Sequence, residues 1–307
     1  MSTFSIKDIE NFTGVKSHTL RIWEQRYKFF TPKRTQTNIR YYDDEDLKKL
    51  LNISILNNNG VKISKIASMS EDEIRSKVLE LSQLKPDHEN QIKALSSSML
   101  NMDEAGFEKV MNNCILQLGL EVTMQKIVIP FMQQVGVLWA AGSIHVAHEH
   151  FMTHLIRQKL IVGIDSVVQR INPDSKKFLL FLHETESHEL GLLFANYLLR
   201  SRGHQVIYLG QNLPLNDLES VFDFHKPDFL FSFFSISLSN EHAQDLVNYL
   251  GEKWPNATIL LTGPQIVNKK LRLKPNTHII QHIDAFINYI NQLEHKGTKT
   301  EKNNSRL

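Results

Sequence analysis

Along residues 1–72 the apolar positions come in short runs at helical spacing, separated by turn residues. SIKDIENFTG (5–14) predicts one helix ending at Gly14, a residue suited to the left-handed position after a helix. VKSHTLRIWEQRY (15–27) predicts a second, with Ser17 as N-cap and Leu20, Trp23 and Tyr27 on one face. Two short helices about a glycine-containing turn predict a helix-turn-helix. TPKRTQTNIRYY (31–42) follows as a hairpin or wing, and DDEDLKKLLNISILNNNG (43–60) opens a further helix with acidic residues in its first turn, where the helix dipole favours them. VKISKIASMSEDEI (61–74) predicts a last short helix pair.

Residues 73–88 are polar and charged, contain Pro86, and read as a linker. From 89 to 172 the periodicity is helical throughout, with helices expected near 89–101, 103–118, 120–140 and 143–171 and a kink at Pro130. Four such helices predict a four-helix bundle. From 174 to 290 apolar runs alternate with amphipathic stretches: FLLFLHE, QVIYLGQ, FLFSFFS, ATILLTG and HIIQH read as strands. Continuous apolar strands separated by helices predict a parallel sheet covered on both faces. Five of them predict an α/β flavodoxin-like (Rossmann-type) domain, which takes ligands at the C-terminal ends of its strands. Residues 291–307 read as a polar tail with nothing to bury. The expected fold class is therefore multidomain: an all-α winged helix-turn-helix, a four-helix bundle, then the α/β domain.

With 41% apolar and 22% charged residues, the 307-residue chain has the composition of a soluble globular protein. The opening MSTFSIKDIENF has neither a basic region nor an apolar core like that of a secretory leader, and no run approaches the ~20 apolar residues of a membrane helix. Cys114 is the single cysteine, which excludes internal disulfides and thiolate zinc clusters and suits a reducing compartment. The expected setting is cytoplasmic, with no membrane partner. A net charge of +2 says little, but residues 1–40 carry eight Lys/Arg against three Asp/Glu, which points to nucleic acid at the N-terminal end.

The sharpest chemical candidate is ESHELG (186–191), at the exit of the first predicted sheet strand. A loop histidine is most simply a solvated side chain. A metal-ligating imidazole, however, usually donates its second N–H to a carboxylate, and Glu186 stands two residues before His188. Gly191 would let a planar ligand or a neighbouring backbone approach closely. The pattern E-x-H-x-x-G resembles the D-x-H-x-x-G signature of cobalamin-binding domains. The resemblance implies that His188 is the lower axial ligand to cobalt, with Glu186 as its partner. It also implies that Ser235 and Gly263, after the third and fourth strands, lie beside the cofactor's nucleotide tail. The chain departs from that pattern at Glu186 for Asp, at Ser237 where the family has Leu, and at Pro264 where it has a second glycine.

WAAGSIHVAHEH (139–150) allows three readings. His145, His148, Glu149, His150 and His154 could hold zinc, although Met152 stands where an H-E-x-x-H motif needs its second histidine. The segment could equally be a polar stripe with Trp139 in the core. Third, it resembles the W-x9-E-H signature of cobalamin-dependent photoreceptor regulators, which implies that Trp139, Glu149 and His150 surround the adenosyl group of adenosylcobalamin. In light-sensing members a histidine follows the tryptophan directly; here that position is Ala140.

Residues 4–50 resemble the winged helix-turn-helix of MerR-family regulators. The resemblance rests on T-G-V-x-x-x-T-L-R-x-W-E and a wing ending N-x-R-x-Y. It implies that the helix at 16–26 enters the major groove of operator DNA. Lys16, Ser17, His18 and Thr19 then lie at its leading end, and Arg21, Arg26, Arg34, Arg40 and Tyr41 supply phosphate or wing contacts. Together these resemblances imply a transcriptional regulator, a repressor, controlled by adenosylcobalamin and through it by light. Homo-oligomers are expected because duplicated half-sites need two readers. Two rivals stay open: a corrinoid methyl carrier, and a regulator whose cofactor site serves protein contacts instead.

Overall fold

The computed structural model describes residues 4–27, 30, 32–35, 38–84, 88–140, 143–168, 174–235 and 239–301. They divide into two compact units, residues 1–155 and 156–307.

The first unit opens with α1 (Ile6–Thr13). Ser5 and Asp8 cap it reciprocally, and Gly14 ends it at φ 70°. Then come α2 (Ser17–Tyr27) and a two-stranded antiparallel wing, β1 (Lys33–Arg34) and β2 (Arg40–Tyr41). Phe4 and Tyr42 exchange both backbone hydrogen bonds, 2.8 and 2.9 Å, which ties the chain's start to the base of the wing. α3 (Asp44–Asn58) has the same reciprocal cap through Asp43 and Asp46, and the one-turn α4 (Ile63–Ile66) follows it. The expected linker is largely helix. α5 (Glu71–Leu84) carries three acids in its first turn, and its Ile74 and Val78 are buried. It packs against α3 and against α6 (His88–Asn101), and α3 packs on α6 directly.

α7 (Glu104–Thr123) contains a break at Gly119, where φ is 77°, so the helix boundary expected there is real. A π-turn (Met124–Val128) then leads into α8 (Ile129–Ala140). Pro130 has no N–H to donate, and the widened turn lies immediately before it. The stretch Glu104–Trp139, with mean hydropathy 1.3 in its most apolar window, is long and apolar enough by composition to cross a membrane, contrary to the expectation from the sequence. Here Gly119 divides it, and both α7 and α8 pack on α6. α9 (Val146–Asp165) begins in the first unit and ends in the second.

The second unit alternates strand and helix. In order it comprises β3 (Lys177–His183), α10 (Leu190–Ser201), β4 (Gln205–Leu213), α11 (Leu215–His225), β5 (Phe229–Phe233), α12 (Asn240–Lys253), β6 (Thr258–Thr262), the short α13 (Pro264–Val267), β7 (Thr277–Ile280) and α14 (Ile283–Glu301). The sheet is wholly parallel in the order β4-β3-β5-β6-β7. Alternate residues serve its two faces. Leu179, Phe181, Leu230, Ile259 and Leu261 join Leu218, Phe222, Val247, Leu250 and Trp254 of the α11–α12 side in one buried cluster. Phe231, pointing the other way, packs on Phe286 of α14 at 4.8 Å between ring centroids. The tail expected from 291 is helical as far as Glu301; its remainder lies outside the described residues.

Candidate functional site

The order of the sheet reverses at β3, and the turn after β3 carries the candidate ligand. β3 ends at His183, whose carbonyl accepts from the Glu186 N–H at 2.9 Å; between them Thr185 takes the left-handed conformation, φ 77°. This tight turn leads into Glu186, which is only 4% exposed. Its carboxylate accepts from His188 Nδ1 at 2.7 Å, the His188 N–H at 3.0 Å, the Ser235 N–H at 2.7 Å and the Ser235 hydroxyl at 2.9 Å. A buried carboxylate needs such donors, because desolvation of an unpaired charge costs several kcal/mol.

The histidine is the opposite of its partner: its side chain is 61% exposed. Since a carboxylate only accepts, Nδ1 is the donor in this bond, and in the neutral tautomer that this bond selects the lone pair is on Nε2. That is the electronic state a metal-binding imidazole requires. The donor set thus fits an imidazole ligand to cobalt.

A Cβ at Gly191 would meet the Phe233 ring at 3.1 Å. At Gly263, with φ 106°, a Cβ would stand 2.3 Å from the Phe234 carbonyl oxygen. Ser235, just past β5, donates its hydroxyl to Glu186; Ser237 is outside the described residues. The sequence pattern did not reveal Glu189, which follows His188 and is 7% exposed. It pairs with Arg157 of α9 and accepts from the Tyr208 hydroxyl at 3.3 Å. Burial first, and then Glu189, hold the Tyr208 phenol above its ordinary value.

In the first unit, Trp139 is 54% exposed, which removes the core reading of that tryptophan. Glu149 accepts from His150 Nδ1 at 2.7 Å and from the Thr153 hydroxyl at 2.6 Å. His150 thus engages a carboxylate through Nδ1 as His188 does, with 64% of its side chain exposed. His148 turns inward and accepts from the His145 N–H at 3.3 Å. Among the described residues, no three His, Cys, Asp or Glu side chains are placed to hold a metal ion, so the zinc reading of 145–154 finds no geometry.

At the helix-turn-helix, several candidates already have partners. Glu10 of α1 accepts from the Ser17 hydroxyl at 2.6 Å and the Ser17 N–H at 3.2 Å, and pairs with Lys16 at 3.2 Å. Glu10, not Ser17, thus caps the start of α2. These bonds, led by the Ser17 hydroxyl, hold its carboxyl down to about 2. Arg40 pairs with Glu24 at 3.1 Å and so fastens the wing to α2, while Arg34 donates to Asn38 at 2.8 Å within the wing. His18, Arg21 and Arg26 are exposed; Thr19 and Tyr41 are half-buried.

Residues 4–73 match the model of the MerR HTH family regulatory proteins, and residues 91–162 match that of the B12 binding domain. The chain joins a MerR-type segment to a B12-binding segment. It is homologous to transcriptional repressors over most of its length. Of the Myxococcus xanthus relatives, CarH is 26% identical over 85% of this chain and 88% of its own, and CarA is 26% identical over 74% of each. A solved structure, the monomethylamine corrinoid protein of Methanosarcina barkeri, is 15% identical with a TM-score of 0.49, covering 60% of this chain and 90% of that one. The MerR-type segment comprises α1 to α4 with the wing and reaches into α5. The B12-binding segment begins within α6 and ends within α9.

Proposed function

We propose that this chain is a cytoplasmic transcriptional repressor whose assembly on operator DNA is set by adenosylcobalamin. The observation that carries the reading is the pairing of exposed His188 with buried Glu186, in a chain whose N-terminal segment is of MerR type. His188 would hold the cobalt through its imidazole. Glu186 fixes the tautomer and ring angle, and Ser235 fixes Glu186. Trp139, Glu149 and His150 are assigned to the adenosyl group on their own chemistry: an indole to pack on a purine, and an imidazole–carboxylate pair to meet ribose hydroxyls.

When bound, adenosylcobalamin supplies a light-cleavable cobalt–carbon bond; this chain's residues bind, orient and report it. Regulation then requires only that the cofactor favour one assembly state over another. The relatives named as repressors support the direction of control, and no residue is assigned a catalytic role.

The test is an absorption spectrum after incubation with adenosylcobalamin in the dark and gel filtration, repeated after green light. Retained cobalamin with an elution volume that changes on illumination is the expected result, and His188→Ala should lose the histidine-ligated spectrum. Colourless protein would overturn the cofactor assignment. Coloured protein whose elution and DNA binding ignore light would remove the light response and leave a cobalamin sensor.

A further inference from the structure

The exposed face of α2 has a composition that phosphate binding alone does not explain. The helix buries Leu20 and Trp23 against its own unit, and on the far side it exposes His18, Arg21, Ile22, Gln25 and Arg26. At roughly 100° of rotation per residue, positions 18, 22 and 25 fall within an arc of about 60°. Arg21 lies on one flank of that arc and Arg26 on the other. The centre of the stripe is therefore an imidazole, a branched alkyl group and an amide, and both edges are guanidinium. Ile22 is 45% exposed on an otherwise basic surface, and among the described residues the exposed Gln25 side chain has no hydrogen-bond partner. Lys16 and Ser17, at the leading end, are already held by Glu10.

From this arrangement we infer that Ile22 and Gln25 read A·T pairs in the major groove of double-stranded DNA, with Arg21 and Arg26 on the flanking phosphates. The inference rests on the DNA-binding reading above and supplies its sequence preference. An alkyl side chain at the groove floor gains from contact with the thymine C5-methyl, which no other base carries. A glutamine amide matches the adenine N6 donor and N7 acceptor as a bidentate pair. Guanidinium groups on either side of the stripe suit the two phosphate walls. Ile22 and Gln25 are about 4.5 Å apart along the helix axis, so the pairs they read are neighbours. His18, nearer the helix start, completes the central row.

The experiment uses the full-length protein, with and without adenosylcobalamin in the dark, against a random duplex pool. The selected duplex is then remade with single thymine-to-uracil replacements, which delete only the methyl. The enriched half-site should contain adjacent A·T pairs. One uracil replacement should weaken wild-type binding about fourfold, the worth of one buried methyl, and leave Ile22→Ala unaffected. Gln25→Ala should lose on the order of tenfold at a neighbouring adenine and become indifferent to the base there. Both side chains are exposed, and thermal melts equal to wild type would confirm intact folding. A G·C-only half-site, or uracil effects identical in wild type and Ile22→Ala, would overturn the inference while leaving DNA binding intact. A pool with no enrichment would overturn the DNA-binding function itself, and this inference with it.

Discussion

The Ser235 backbone N–H and hydroxyl both donate to the carboxylate of Glu186, at 2.7 and 2.9 Å, across 49 residues of sequence. The end of β5 thereby sets the angle at which Glu186 meets His188, before any ligand arrives. A ligand taken up at His188 would therefore meet a preorganised side chain, its orientation settled by folding.

Ser235→Ala keeps the N–H and deletes the hydroxyl, and so should weaken adenosylcobalamin binding modestly. Glu186→Gln puts an amide against the Ser235 N–H or the His188 Nδ1–H and should weaken it about tenfold or more, the usual effect of losing a ligand's supporting carboxylate. Titration of the absorption spectrum measures both. Equal affinity in all three proteins would sink the supporting role of Glu186.

Gly263 sits at φ 106°, and an added Cβ would lie 2.3 Å from the Phe234 carbonyl oxygen. Backbone cannot yield as a flexible side chain does. Gly263→Ala should cost about 2–3 kcal/mol or more and lower the melting temperature by roughly 5–10 °C. Gly191→Ala meets only the Phe233 ring, at 3.1 Å, and should cost less. Calorimetry of the two variants checks the order, and the reverse order would refute it.

The Glu10 carboxyl is held near 2, below its ordinary 4.5, by the Ser17 hydroxyl and then Lys16. A carboxyl depressed in the folded state stabilises that state above about pH 4.5, and the contribution is lost as pH falls toward 2. Glu10→Gln should therefore melt lower than wild type at pH 7, with the gap narrowing below pH 4.5. Paired melts at pH 7, 5 and 3 test this; a gap that widens on acidification would contradict the assignment.

Arg21 and Arg40 should separate by salt. Arg21 is exposed and assigned to phosphate, so Arg21→Ala should reduce the salt dependence of DNA binding by about one ion and leave melting unchanged. Arg40 is held by Glu24 at 3.1 Å, so Arg40→Ala should loosen the wing and lower stability instead. Binding measured across a salt series, with melts of the same variants, distinguishes them.

What the sequence disclosed followed from the range of each interaction. The five strands were legible because each is a continuous apolar run, and His188 because it follows the first of them. Gly119 marked a helix boundary by composition alone. α5 was passed over because its charge reads as solvated chain, although Ile74, Val78, Leu81 and Leu84 recur at helical spacing and Ser70 and Glu73 cap each other at its start. The engagements of Ser17 with Glu10, Arg40 with Glu24 and Arg157 with Glu189 join residues 7, 16 and 32 positions apart, and no local pattern marks them. The reading stripe of α2 was legible in part: its charged members drew attention, while Ile22 and Gln25 passed as ordinary surface.

α3 is buried on nearly every side. Leu47, Leu50, Leu51, Ile53, Ile55 and Leu56 are each 1% exposed or less, because α1 covers one flank and α5 and α6 cover others. A helix so enclosed is not the edge of a separable module. Cutting the chain near residue 72 would strip α5 and α6 from it and leave greasy surface on both fragments. The DNA-binding segment should consequently resist expression as an isolated piece, and in the intact protein it should melt in one transition with the helices that follow it.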